Sequence, residues 1–153
     1  MASVRNIVAF KEINPTFVTF TYNADFTYSA DANGGSTAVC LAVKMVGDKQ
    51  VGLSTDAAHV IGRLVRVHDD VFCTVQVSGF CLLPVGSSVT VTAGLKIVGA
   101  LGASSAKGYV RNVAVATLAE VAAASGRIVD TSSAANTLIA GTSVAGVAVN
   151  LSC

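Results

Sequence analysis

The chain has 153 residues, 52% of them apolar, which is enough to fill the core of one ordinary domain and excludes two large ones. Only 12% of residues are charged, ten Lys and Arg nearly cancel nine Asp and Glu, and the net charge is +1. That balance argues against a nucleic-acid partner, whose affinity would rest on many cationic contacts to phosphate, and against disorder, which needs low hydrophobicity and high net charge.

Alternation of apolar and polar residues dominates along the chain, and helical periodicity is scarce. Val18, Phe20 and Tyr22 share one face opposite Thr19, Thr21 and Asn23, and the pattern continues through Ala24, Phe26 and Tyr28, so both stretches read as half-buried strands. Asn33-Gly34 offers the positive φ angles of a tight hairpin turn, which predicts a hairpin from Phe26 to Val46. A second hairpin is expected to join Ile61–His68 to Val71–Ser78 across Asp69-Asp70, with Cys73 in step with Val71, Val75 and Val77 on its apolar face. Further strands are read at Ser88–Thr92, Lys96–Val98, Tyr109–Ala116, Arg127–Asp130 and Val144–Leu151. The Ala-rich stretch Thr117–Ser125 admits one short helix ended by Gly126. Short strands and frequent turns imply an all-β, mainly antiparallel protein: a compact barrel or sandwich over 51–153 with an N-terminal β-hairpin or arm over 1–50, in one continuous unit.

The positive mean hydropathy calls for burial between subunits or in a membrane. The longest charge-free stretches, Val71–Leu95 and Thr131–Cys153, are broken every few residues by Ser, Thr, Gly, Gln, Asn or Pro, so no membrane-spanning helix is expected. Arg5, Lys11, Glu12 and Asn14 interrupt any apolar leader, so synthesis in the cytoplasm without secretion is the expectation. Homo-oligomerisation is the expected outlet for the apolar surface.

Cys40, Cys73, Cys81 and Cys153 form no Cys-x-x-Cys pair, and His59 and His68 lack partners at metal-ligand spacing. No metal or cofactor is therefore expected, and Cys40, Cys73 and Cys81 read as buried structural thiols. No Gly-x-Ser-x-Gly elbow occurs, His59 has only the nearby Asp56, and the adjacent Asp69 and Asp70 point apart, so no enzyme is expected. Gly102–Gly108 lacks the Gly-Lys-Ser/Thr order of a phosphate loop, and Asn150-Leu151-Ser152 without a leader is a chance glycosylation pattern. The most specific feature is aromatic: Phe10, Phe17, Phe20, Tyr22, Phe26 and Tyr28 are six of the nine aromatic residues. They either fill a core or contact a partner or second subunit, since alternation predicts burial without identifying what lies opposite.

From Val51 onward the order of segments resembles the small capsid cement, or decoration, proteins of tailed bacteriophages. The likeness rests on Val51-Gly-Leu-Ser-Thr-Asp56, Val60-Ile-Gly62, Thr74-Val-Gln-Val-Ser-Gly-Phe80, Leu83-Pro-Val-Gly86, Val91-Thr-Ala-Gly94, Gly126-Arg-Ile-Val-Asp130 and Val147-Ala-Val-Asn-Leu151. It covers about two-thirds of the chain and leaves out the aromatic N-terminus. It implies a non-enzymatic protein on the outer surface of a phage head that clamps neighbouring major capsid subunits, often as a trimer, with a dimer as the alternative. The other readings are a different virion subunit, of shell, tail or head-completion type, and a soluble receptor- or carbohydrate-binding β module.

Overall fold

The computed structural model describes residues 15–114, 117–131, 137–139 and 142–151. It is mainly β, as the alternation predicts. Five strands, β1 (Thr16–Tyr22), β2 (Ala42–Gly47), β3 (Gln50–Leu53), β4 (Gly62–Val67) and β5 (Phe72–Ser78), close into a barrel in the order β1-β3-β2-β4-β5. Every neighbouring pair is antiparallel except β1 with β3. The barrel takes strands from both sides of residue 50.

The inward face follows from the period of two. Cys73 and Val75 point inward from β5, opposite Phe20 and Val18 of β1, and are fully buried. On β4 the inward residues are Leu64 and Val67, three apart, because a bulge between Leu64 and Arg66 sets three residues against two of β5. The β4–β5 hairpin forms where expected, with His68 N–H donating to the Phe72 carbonyl at 2.9 Å. Val71 does not share the inner face of Cys73: it takes a left-handed φ of 64° in the turn and stands 59% exposed.

The predicted strand over Ala24–Tyr28 and the hairpin across Asn33-Gly34 do not form. The Asp25 N–H donates to Asn23 Oδ1 at 3.0 Å, a side-chain-closed turn that ends β1 and tips Phe26 into the barrel. Asn33–Gly35 make a single 3-10 turn, and Gly35, at φ 82°, lies so close to the Val67 carbonyl that any Cβ would collide with it. These glycines let the loop press onto β4. The hairpin that does form joins β2 to β3 across Asp48-Lys49, with Lys49 at φ 54°.

A second five-stranded antiparallel sheet follows, with β6 (Phe80–Pro84), β7 (Lys96–Ala100), β8 (Tyr109–Asn112), β9 (Ser125–Asp130) and β12 (Gly146–Asn150) in the order β6-β12-β9-β7-β8. A bridge from Val85 to Val110 brings its two edges together, supported by Gly86 N–H donating to the Val110 carbonyl. β10 (Thr137–Ile139) and β11 (Thr142–Val144) form a separate hairpin. Ser88–Thr92 is irregular, contrary to expectation. Ser88 takes φ 58°, and the Asn112 carboxamide donates to the Thr90 carbonyl and accepts from Thr92 N–H, standing in for a ladder partner. β8 stops at Asn112, and residues 115–116 of the predicted Tyr109–Ala116 strand lie outside the described residues.

Among the described residues the one α-helix, α1, spans Leu118–Ala123, inside the predicted stretch. It ends at Ala124, which is already extended, so Gly126 is not its cap. Gly126, at φ 52°, belongs to β9, lies against the Asn150 backbone, and is the extra residue where β9 shifts register against β7.

Two apolar clusters form the core. Val43, Val51, Leu64, Val67, Cys73 and Val75 fill the barrel together with Phe26, while Leu83, Ile97, Val110, Ile128, Val147 and Val149 pack together on the second sheet. Ala42 of β2 and Val60 pack with the second cluster, so the units share a seam. Its backbone is a ring of three hydrogen bonds: Ala42 N–H to the Gly108 carbonyl at 2.8 Å, Gly108 N–H to Ser54 at 2.8 Å and Ser54 N–H to Ala42 at 2.9 Å.

Candidate functional surface

The structure divides the aromatic residues. Phe26 is 4% exposed, and its ring centroid lies 5.2 Å from that of Tyr22. Phe20 and Tyr22 pack half-buried against the same cluster, and the Tyr22 hydroxyl donates to the His68 carbonyl at 3.2 Å. Phe17 and Tyr28 are on the surface, 51% and 43% exposed. Phe10 lies outside the described residues.

Register explains the division. Phe20 and Tyr22 pack toward the barrel interior, Val18 on the same side of β1 is still 37% exposed, and Phe17, Thr19 and Thr21 face out opposite Gln76, Thr74 and Phe72 of β5, of which Gln76 is buried. Phe17 and Phe72 therefore sit on one outer face, four residues apart along the strand, with a pair of threonines between them. Four residues correspond to roughly 13 Å. None of these six residues is charged. Phe72 is missing from the sequence-derived set, although the inward placement of Cys73 and Val75 already turns it outward. Val71, Met45 and Val46 are further exposed apolar residues of this barrel.

The polar groups near the seam are engaged in holding the fold. Arg111 donates through Nη2 and Nη1 to the two Glu120 oxygens at 2.7 and 3.1 Å, and through Nε to Asp56 at 3.0 Å. Glu120 also accepts the Ala114 N–H at 2.9 Å, which fastens α1 to the strand it follows. His59 donates from Nδ1 to the Ala123 carbonyl at 3.0 Å, and His68 Nε2 meets Thr74 Oγ1 at 3.2 Å. Asp56 and His59 thus serve different partners. Asp69 and Asp70 are exposed in the β4–β5 turn.

The Arg111 guanidinium, with the Ala114 N–H beside it, holds the Glu120 carboxyl below its ordinary value of 4.5. A carboxylate depressed by folding adds stability above its unfolded value, and that stability is lost as pH falls through the folded one. The Ala114 amide resonance is accordingly expected to titrate with a midpoint below 4.5, and Arg111→Gln to move that midpoint upward. An Ala114 amide shift that ignores Glu120 ionisation would remove the pairing. Asp25 behaves alike: burial opposes its charge, but Lys107 at 2.7 Å and Asn23 outweigh burial and hold its carboxyl low.

Cys73 and Cys81 are buried free thiols, pushed up to about 11 and about 12 by burial. Cys40 is free but only half-buried, accepting from Arg63 Nη2 at 2.8 Å, and Cys153 lies outside the described residues. Among the described residues, no three His, Cys, Asp or Glu side chains gather at metal-binding distance, and no helix is long and apolar enough to cross a membrane. Comparison with protein families, with curated proteins and with solved structures finds no match.

Proposed function

We propose that the chain is a non-enzymatic structural protein of a virus particle that binds the outside of a tailed-phage head as a cement protein, clamping neighbouring major capsid subunits. It would work as a homo-oligomer, without cofactor, reaching the virion surface after synthesis in the host cytoplasm. The observation that carries this reading is the uncharged outer face of β1 and β5, with Phe17 and Phe72 exposed at its two ends. The family-like segments from Val51 onward support it as well. Exposed apolar side chains spread over a rigid barrel suit distributed contact with several subunits, where avidity replaces a single tight pocket.

Co-sedimentation with cognate undecorated heads tests the reading. The protein is expected to pellet in icosahedral proportion and to stay bound at raised salt, because few charges are available to be screened. Phe17→Ala and Tyr28→Ala are each expected to weaken binding by about 5- to 30-fold while leaving the fold intact. A well-folded protein that ignores heads, or that leaves them at modest salt, would overturn the proposal.

A further inference from the structure

Asn33-Gly34 is the one Asn-Gly step in the sequence, and instead of turning a hairpin it holds the β1–β2 loop against β4. Gly34 takes a φ of 72°, and a Cβ there would lie 2.9 Å from Val39 Cγ2 and 3.1 Å from the Val65 carbonyl oxygen. Backbone conformation and packing therefore both demand glycine at this position.

That demand leaves a reactive pair on the surface. Asn33 is exposed, and its carboxamide makes no hydrogen bond among the described residues. The Gly34 N–H donates to no group there either, whereas the next amide, Gly35 N–H, donates to the Ala32 carbonyl at 2.9 Å. Gly34 N and Asn33 Cγ are thus untied, and glycine puts no side chain beside the nitrogen. Asn23 and Asn112 differ on both counts. The Asn23 carboxamide accepts the Asp25 N–H at 3.0 Å and donates to Asp25 Oδ2 at 3.1 Å, and the Asn112 carboxamide bridges Thr90 and Thr92. The residues that follow them, Ala24 and Val113, carry side chains next to the attacking nitrogen.

We propose that Asn33 is a site of spontaneous deamidation, with water as the only co-reactant. The Gly34 nitrogen loses its proton and bonds to Asn33 Cγ; the bond from Cγ to the side-chain nitrogen breaks, and ammonia leaves, closing a succinimide ring. Water then adds at either ring carbonyl. Opening at one restores the ordinary main chain with aspartate at position 33; opening at the other routes the main chain through the former side chain, as isoaspartate. Nothing is oxidised or reduced, and either product adds one negative charge to a chain whose net charge is +1.

The isoaspartyl product lengthens the main chain by one methylene where the loop has least room. Gly34 and Gly35 are wedged against the Val65 and Val67 carbonyls, and the Gly35 carbonyl accepts the Ser29 N–H at 2.9 Å. Further along the same loop Ala38 and Leu41 pack with Phe26 in the barrel cluster, and Cys40 N–H donates to the Leu64 carbonyl at 2.9 Å. The modification therefore loosens the segment that closes the barrel and turns elapsed time into local opening.

The test needs no capsids, so it stands apart from the cement reading. The full chain is aged at mildly alkaline pH and mapped by peptide mass spectrometry. The peptide containing Asn33 is expected to gain one mass unit and to separate into aspartyl and isoaspartyl forms, at a rate that rises with hydroxide concentration. Freeing a carboxamide from two hydrogen bonds corresponds to about tenfold or more in rate, so Asn33 is expected to lead Asn23 and Asn112 by at least that factor. Asn33→Gln, which would have to close a larger ring, is expected to abolish the change with an unchanged circular dichroism spectrum. In the isoaspartyl form the Ser29 and Cys40 amides are expected to exchange about fivefold faster or more, whereas Asn33→Asp, with an ordinary main chain, is expected to leave them as they are. No mass gain at Asn33, a gain no faster than at Asn23 and Asn112, or an isoaspartyl form whose Ser29 and Cys40 amides exchange as before would overturn the inference.

Discussion

Phe26→Ala is expected to cost roughly 3–5 kcal/mol of folding stability, the range for deleting a buried aromatic ring. Phe26 sits in a loop, yet it is 4% exposed and belongs to the cluster that fills the first barrel. Its neighbours cannot close the gap. Tyr22 is tied by its hydroxyl to the His68 carbonyl, and Val51, Leu64 and Val75 are fixed in the barrel ladders. Urea denaturation should show a lower midpoint with an unchanged slope. Phe17→Ala, on the outer face of the same barrel, should change stability by no more than about 0.5 kcal/mol. Equal losses from the two substitutions would contradict the division of the aromatic set into core and surface.

Gly99→Ala is expected to be the most damaging single-methyl addition in the second sheet, costing about 3 kcal/mol or more. A Cβ at Gly99 would collide with the Thr55 carbonyl oxygen and Ser54 Oγ. That neighbour is backbone and cannot swing aside. Gly99 also exchanges two hydrogen bonds with the loop from the first barrel, accepting from Ala57 N–H at 3.0 Å and donating to the Ala58 carbonyl at 2.8 Å. The added methyl should therefore pry β7 from that loop and open the seam, detected as faster amide exchange at Ala57 and Gly99 together with a lower urea midpoint. Gly47→Ala meets only the flexible end of Gln50 and should cost less than about 1 kcal/mol. A Gly99→Ala protein as stable as Gly47→Ala would show that the seam is not closely packed.

The strands that were legible in the sequence are those whose alternation matches their burial. β5 and β9 fall where the pattern puts them, β7 is found although four of its five residues are buried in a row, and the β4–β5 hairpin lies across the expected aspartates. Where local turn chemistry was the guide, tertiary packing overrode it. Asn33-Gly34 has the composition of a hairpin turn, but its glycines serve the close approach of a loop to β4. The turn that joins β2 to β3, Asp48-Lys49, carries no such signal, and β6 was hidden because Pro84 and the cysteine at 81 obscure its alternation. The aromatic surface was half legible for the same reason. Alternation separates Phe17 from Phe20, but it does not say which face meets a core, and Phe26 and Tyr28 share a sequence pattern that has no strand to act on once Asn23 has turned the chain.

β12, the last strand described, lies in the interior of its sheet, between β6 and β9. During synthesis the first barrel has all its strands once residue 78 has emerged, whereas β6 must wait for residues 146–150 before its ladder neighbour β12 exists. The two halves of the chain therefore mature at different times on the ribosome, the first barrel serving as a preformed wall at the seam on which the later strands condense. Deletion of Gly146–Asn150 would remove a central member of the second sheet, so it should arrest folding where trimming an edge strand would be tolerated.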